Sequence, residues 1–97
     1  MRIIARKTVR DFWETHPDAE QSLRAWFHDI KVADWTGPAD IRAMYTTASF
    51  LAHNRVVFNI RGNRYRLIVT INYAYRIVYI RFIGSHAEYD RIDATTI

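Results

Sequence analysis

The chain has 97 residues, a formal net charge of +4, an apolar fraction of 49%, a charged fraction of 25% and no cysteine. That is enough for one modest core, it lacks the low hydrophobicity of a disordered segment, and it excludes disulfides and thiolate metal sites. The opening Met1-Arg2-Ile3-Ile4-Ala5-Arg6-Lys7 puts charge where a signal peptide needs an apolar run. No stretch approaches the ~20 apolar residues of a membrane span, so one cytoplasmic domain over residues 1–97, without membrane contact, is expected.

Arg2–Ala5 is a short strand candidate. Thr8, with Asp11 three residues on, is expected to cap a helix that runs through Phe12 and Trp13 toward His16. Pro17 fits the first turn of a second helix, with Asp18 and Glu20 near its positive end. In that helix Leu23, Trp26, Phe27 and Ile30 form one apolar stripe. Trp35-Thr36-Gly37-Pro38 is a loop, and Pro38–Arg42 begins a third helical turn.

The period then changes. Val56–Ile60 is β-branched and aromatic, Arg61-Gly62-Asn63 is turn chemistry with Gly62 suited to positive φ, and Tyr65–Ile71 and Ile77–Ile83 are two further strands around an Asn72–Tyr75 turn. Gly84-Ser85-His86 is expected to break the last strand, with a short helix in Glu88–Ala94. The expected fold class is α+β: a small twisted antiparallel sheet with an N-terminal helix pair on one face and a short C-terminal helix.

Charge is distributed unevenly along this plan. Up to Met44 basic and acidic residues are matched in number, whereas Ile41–Ala87 contains no acid and carries Arg42, Arg55, Arg61, Arg64, Arg66, Arg76 and Arg81. Such a segment is either the footprint of a polyanion or a solvated basic face. Strand alternation puts Arg64, Arg66, Ile68 and Thr70 on one side and Tyr65, Leu67, Val69 and Ile71 on the other. The apolar set belongs under the helices, so Arg64 and Arg66, joined by Arg81 from the next strand, are expected on an open cationic face.

Two stretches carry a family resemblance. Asn54-Arg55-Val56-Val57-Phe58-Asn59-Ile60-Arg61-Gly62-Asn63-Arg64-Tyr65-Arg66-Leu67 and Tyr79-Ile80-Arg81-Phe82-Ile83-Gly84-Ser85-His86-Ala87-Glu88-Tyr89-Asp90 resemble motifs of the HigB-type toxins, within the RelE-like toxins. The Trp35…Pro38-Ala39-Asp40-Ile41 element is similar too. Ser85 stands where threonine is common, which keeps the hydroxyl. The resemblance implies a RelE-like fold, ribosome-dependent cleavage of mRNA, and neutralisation by a HigA-type helix-turn-helix antitoxin.

Metal-free RNA cleavage needs a base for the 2′-hydroxyl, an acid for the leaving 5′-oxygen and cations for the pentacovalent phosphate. His86 is the acid–base candidate because its ordinary pKa of ~6.5 lies near working pH. The resemblance implies that Arg66 clamps the transition state, with Arg81 a further candidate. Arg61, Arg64 and Arg55 are assigned to the backbone of mRNA or ribosomal RNA. Tyr89 either meets the scissile phosphate or a base, or anchors the terminal helix in the core. Asn59 and Asn63 match motif positions for RNA contact and are equally open to reading as hairpin residues. Glu88 and Asp90 are left to orient His86 or pair with an arginine. No cofactor is expected, since Mg²⁺ sites need clustered carboxylates and the basic half offers none before Glu88. A non-catalytic RNA- or ribosome-binding protein, and a protein that only pairs with its antitoxin as a repressor, are the competing readings.

Overall fold

A computed structural model describes all residues, 1–97. The elements run β1 (Arg2–Ile4), α1 (Arg6–Thr15), a 3₁₀ turn (Pro17–Ala19), α2 (Glu20–Val32), α3 (Pro38–Met44), β2 (Ser49–Leu51), β3 (Arg55–Ile60), β4 (Tyr65–Asn72), β5 (Ile77–Ser85) and α4 (His86–Tyr89). The fold is α+β, as expected. Its sheet has five strands in the order β1-β5-β4-β3-β2. The β2–β3–β4–β5 part is antiparallel, and β1 joins the edge parallel to β5. Strand β2 has only three residues, too few to display an alternating pattern. No helix is long and apolar enough to cross a membrane.

The α2 stripe does what its spacing requires. Leu23, Trp26 and Ile30 are buried with Val9 of α1 and Ile41 of α3 against Val56, Phe58, Leu67, Val69, Val78 and Ile80 of the sheet, and Phe27 packs at the margin. Phe58 is the hub, with the rings of Trp26, Trp35 and Tyr45 at 5.5, 6.2 and 5.1 Å.

Helix α1 starts three residues earlier than the capping signal implies. Ala5 takes a left-handed conformation (φ 71°) that turns the chain directly from β1 into the helix, and no side chain caps it. Thr8 lies inside the first turn, its N–H donating to the Ala5 carbonyl at 3.2 Å. Parallel pairing of β1 with β5 and the immediate return of α1 across the sheet decide this start, and neither is local in sequence.

The opposite face of the sheet is not open. Val57 and Ile68 are buried there beneath the C-terminal segment, where Ala94 is buried and Tyr89, Ile92 and Ile97 pack alongside Leu51 and Phe82. Strict alternation along β5 would send Phe82 to the helix side with Val78 and Ile80. A bulge prevents it: Val69 pairs with Ile80 but Ile68 pairs with Phe82, which leaves Arg81 as the extra residue. Phe82 therefore joins the second core, and Ile83 returns to the first.

Candidate active site

Strand β5 continues through Ser85, and the chain turns at His86 rather than at Gly84. Gly84 lies opposite Arg66, where a Cβ would come within 2.6 Å of the Phe82 ring and 3.2 Å of Glu88 Oε1. Its smallness lets Phe82 and Glu88 close over the strand end. Ser85 then caps α4: its Oγ accepts from the Glu88 N–H at 3.2 Å, and its own N–H donates to Glu88 Oε1 at 2.9 Å. The Ser85 backbone N–H, and after it the Ser85 side chain, hold the Glu88 carboxyl below its ordinary pKa. Glu88 is committed to this cap and makes no hydrogen bond to His86. The short helix therefore occupies His86–Tyr89 instead of Glu88–Ala94.

The cap sets His86 over the end of β4. Arg66 Nε donates to His86 Nε2 at 3.2 Å, and Asn63 Oδ1, from the β3–β4 turn, lies 2.9 Å from the same nitrogen. The Arg66 guanidinium carbon stands 4.8 Å from the centre of the Tyr89 ring, a cation–π contact. No carboxylate pairs with Arg66, and its two terminal amino groups make no hydrogen bond within the protein. Most of its five N–H donors thus remain for an oxyanion.

One nitrogen with two such neighbours has a definite chemistry. Unprotonated Nε2 can accept from Arg66, whereas protonated Nε2 can donate only to Asn63 Oδ1. Gain or loss of a proton there exchanges one partner for the other, so Nε2 has a partner in either state.

Elsewhere part of the acid-free stretch is paired from the other half of the chain. Asp18 receives Arg61 at 2.6 Å, Arg64 at 3.1 Å and the Tyr65 hydroxyl at 2.8 Å. Arg76 pairs with Asp34 at 2.5 Å, and Arg55 donates to the Ile97 backbone oxygen. Arg61 and Arg64, assigned from the sequence to RNA backbone with Arg55, therefore share a single carboxylate, and Arg55 lies against a backbone oxygen. Folding carries Asp18 and the C-terminal segment, distant in sequence, onto them. Asp18 in turn has its carboxyl held below the usual range, first by the Tyr65 hydroxyl and then by Arg61 and Arg64. A carboxyl depressed in the folded state stabilises fully above its unfolded pKa of about 3.9 and ceases to do so as the pH falls through the native value. Asp18→Asn should accordingly flatten the acid limb of a urea-midpoint titration between about pH 7 and about pH 2; a variant curve parallel to that of the parent would contradict this.

A sequence profile described as HigB_toxin, RelE-like toxic component of a toxin–antitoxin system, matches residues 19–92, a span that includes Asn63, Arg66, His86 and Tyr89. The chain belongs to the HigB toxin family. Among curated relatives, the mRNA interferase HigB of Escherichia coli O6:H1 (strain CFT073) is 27% identical over 94 residues, covering 95% of this chain and 91% of the relative. The mRNA interferase toxin HigB of E. coli K12 is 26% identical over 92 residues, covering 93% and 88%, and the Shigella flexneri mRNA interferase HigB matches to the same extent. As a HigB-family toxin the protein is one half of a toxin–antitoxin pair, and an antitoxin is its partner.

Of the site residues expected in this HigB-family chain, the structure gathers Arg66, His86, Tyr89 and Asn63 and separates the others. Asn59 lies beside Arg66 on β3 and donates to the Thr47 carbonyl at 3.4 Å, so it ties the hairpin to the α3–β2 loop. Arg81 shares the face but donates to Thr70 Oγ1 at 3.2 Å, four residues along β4 from Arg66, or about 13 Å at the usual strand rise. Apolar Ile68 and Phe82, covered by the C-terminal segment, lie between. The continuous cationic platform is thus divided in two.

Proposed function

We propose that this HigB-family toxin is an mRNA endoribonuclease that acts in the cytoplasm on ribosome-bound transcripts without a metal ion, and that a HigA-type helix-turn-helix antitoxin restrains it. The contact between Arg66 Nε and His86 Nε2 carries the reading: a guanidinium with no carboxylate partner beside an imidazole nitrogen able to hold or release a proton. Here the transcript's 2′-oxygen attacks the adjacent phosphorus and the bond to the 5′-oxygen breaks. The proton leaves the 2′-hydroxyl and another reaches the 5′-oxygen, with His86 Nε2 performing one of these transfers. Arg66 takes the charge that grows on the non-bridging oxygens. Tyr89, against the guanidinium, fixes its plane. The assembled donors are cationic or neutral, a set that favours an oxyanion over a divalent cation. The name mRNA interferase, borne by the relatives, agrees with this reading.

The test is transcript end-mapping after induced expression, with and without the antitoxin. Expected are new ends within translated regions, a 2′,3′-cyclic or 3′-phosphate upstream and a 5′-hydroxyl downstream, which vanish in His86→Ala and when translation initiation is blocked. Growth arrest without new ends would replace the nuclease by a protein that inhibits through occupancy.

A further inference from the structure

The molecule carries a second arginine-rich site, on the side of the sheet away from Arg66. Helices α1 and α2 form a cavity of about 390 Å³ lined by Arg6, Arg10, Trp13, Arg24 and Phe27. Its floor is aromatic, with the Trp13 and Phe27 rings edge-to-face at 6.1 Å. Guanidinium groups lie over both rings, Arg24 at 4.9 Å from Trp13 and Arg6 at 5.9 Å from Phe27. Arg24 shares its charge with Glu20 at 2.7 Å. Arg6 and Arg10 have neither a carboxylate partner nor a side-chain hydrogen bond, so two cations stand uncompensated beside the rings. Arg6, Arg10 and Trp13 precede the segment that matches the family profile, and the chemistry proposed for Arg66 and His86 uses none of the five.

We propose that this cavity binds one unpaired RNA nucleotide, its base against the Trp13–Phe27 floor and the Arg24 plane, its phosphate held by Arg6 and Arg10. The volume lies at the small end of ligand pockets, which run from about 300 to 1,000 Å³, a size suited to a single base with its phosphate. Splayed-out bases stack on aromatic rings and guanidinium planes, and phosphate oxygens match the arginine fork. An acidic peptide would use the arginines and leave the rings idle. The proposal rests on the reading of the protein as one that acts on RNA, and it adds a holding site on the far side of the sheet from the cut. The nucleotide comes either from the transcript or from ribosomal RNA.

The experiment uses the whole chain and a short 2′-O-methyl RNA oligonucleotide, which cannot be cut through a 2′-hydroxyl. Trp26 and Trp35 are only 1% and 3% exposed, so a stacked base can reach Trp13 alone, and binding should quench that share of the tryptophan fluorescence. Arg6→Ala/Arg10→Ala keeps good helix formers on α1. It should weaken binding by about tenfold per arginine, remove the quenching, and lower the salt slope by about 0.7 for each phosphate that is no longer neutralised. Arg10→Ala alone disturbs no packed neighbour and should show about half of the slope change. Arg66→Ala should retain the quenching while losing cleavage. Ribosomes free of mRNA, added as competitor, displace the oligonucleotide if the nucleotide is ribosomal and leave it bound if it belongs to the transcript. Unchanged affinity and quenching in the double variant would overturn the site while leaving the nuclease reading intact. Polyglutamate competing as well as RNA would overturn it in favour of an acidic protein segment. Retained quenching in a chain that generates no transcript ends would overturn the nuclease reading and keep the site.

Discussion

Arg66→Ala is expected to abolish growth arrest, with the rate of transcript cleavage falling by about 10²–10³, the usual result of losing one preorganised oxyanion-stabilising group. Its environment makes the loss irreplaceable. Arg81 lies about 13 Å along the strand, Arg61 and Arg64 share Asp18, and Arg55 donates to the Ile97 backbone oxygen. Arg66→Lys should recover little, because an ammonium cannot present a planar fork to phosphate while lying against Tyr89 and donating to His86. The fold should survive both changes, since Arg66 is only half-buried and makes no salt bridge. Purified variants should therefore melt near the parent temperature and still co-purify with the antitoxin. Undiminished cleavage in Arg66→Ala, on a chain shown to be folded, would remove the arginine from the mechanism.

Ile68→Ala is expected to cost about 2–5 kcal/mol, the range for truncating a fully buried branched aliphatic residue. Ile68 has no exposed surface and holds the second core together with Val57, Ala94 and Phe82. For a chain of this size the melting temperature should fall by on the order of 10 °C or more. Activity should suffer beyond the loss of folded protein, because Tyr89 packs on the same cluster while lying against Arg66. Thermal melts followed by circular dichroism measure the first effect, and cleavage per folded molecule well below the melting transition measures the second. A shift of only a degree or two would mean that the C-terminal segment does not cover this face in solution.

Much of the fold was legible because its signals are local and periodic. Leu23, Trp26 and Ile30 announce a helix face, the β-branched runs of β3 and β4 announce strands, and Gly62 between them takes the positive φ (63°) its position suggests. The motif around Arg66 and the one around His86 each marked half of the candidate site. Their adjacency follows from the pairing of Arg66 with Gly84, a register that periodicity alone leaves open by two residues in either direction.

Sequence by itself determined the types of the longer elements, the helix-facing apolar set of β4 and the chemical identity of the residues available for phosphate chemistry, because these depend on side-chain type and short spacing. Tertiary structure decided which arginine stands beside the imidazole without a carboxylate. Charge in a sequence is counted along the chain, whereas a guanidinium is paired by whatever folding brings within a few ångströms. Asp18 pairs with Arg61 and Arg64, the Ile97 oxygen holds Arg55, the Arg81 bulge turns Phe82 to the other face, and the Ser85–Glu88 cap aims His86 at Arg66.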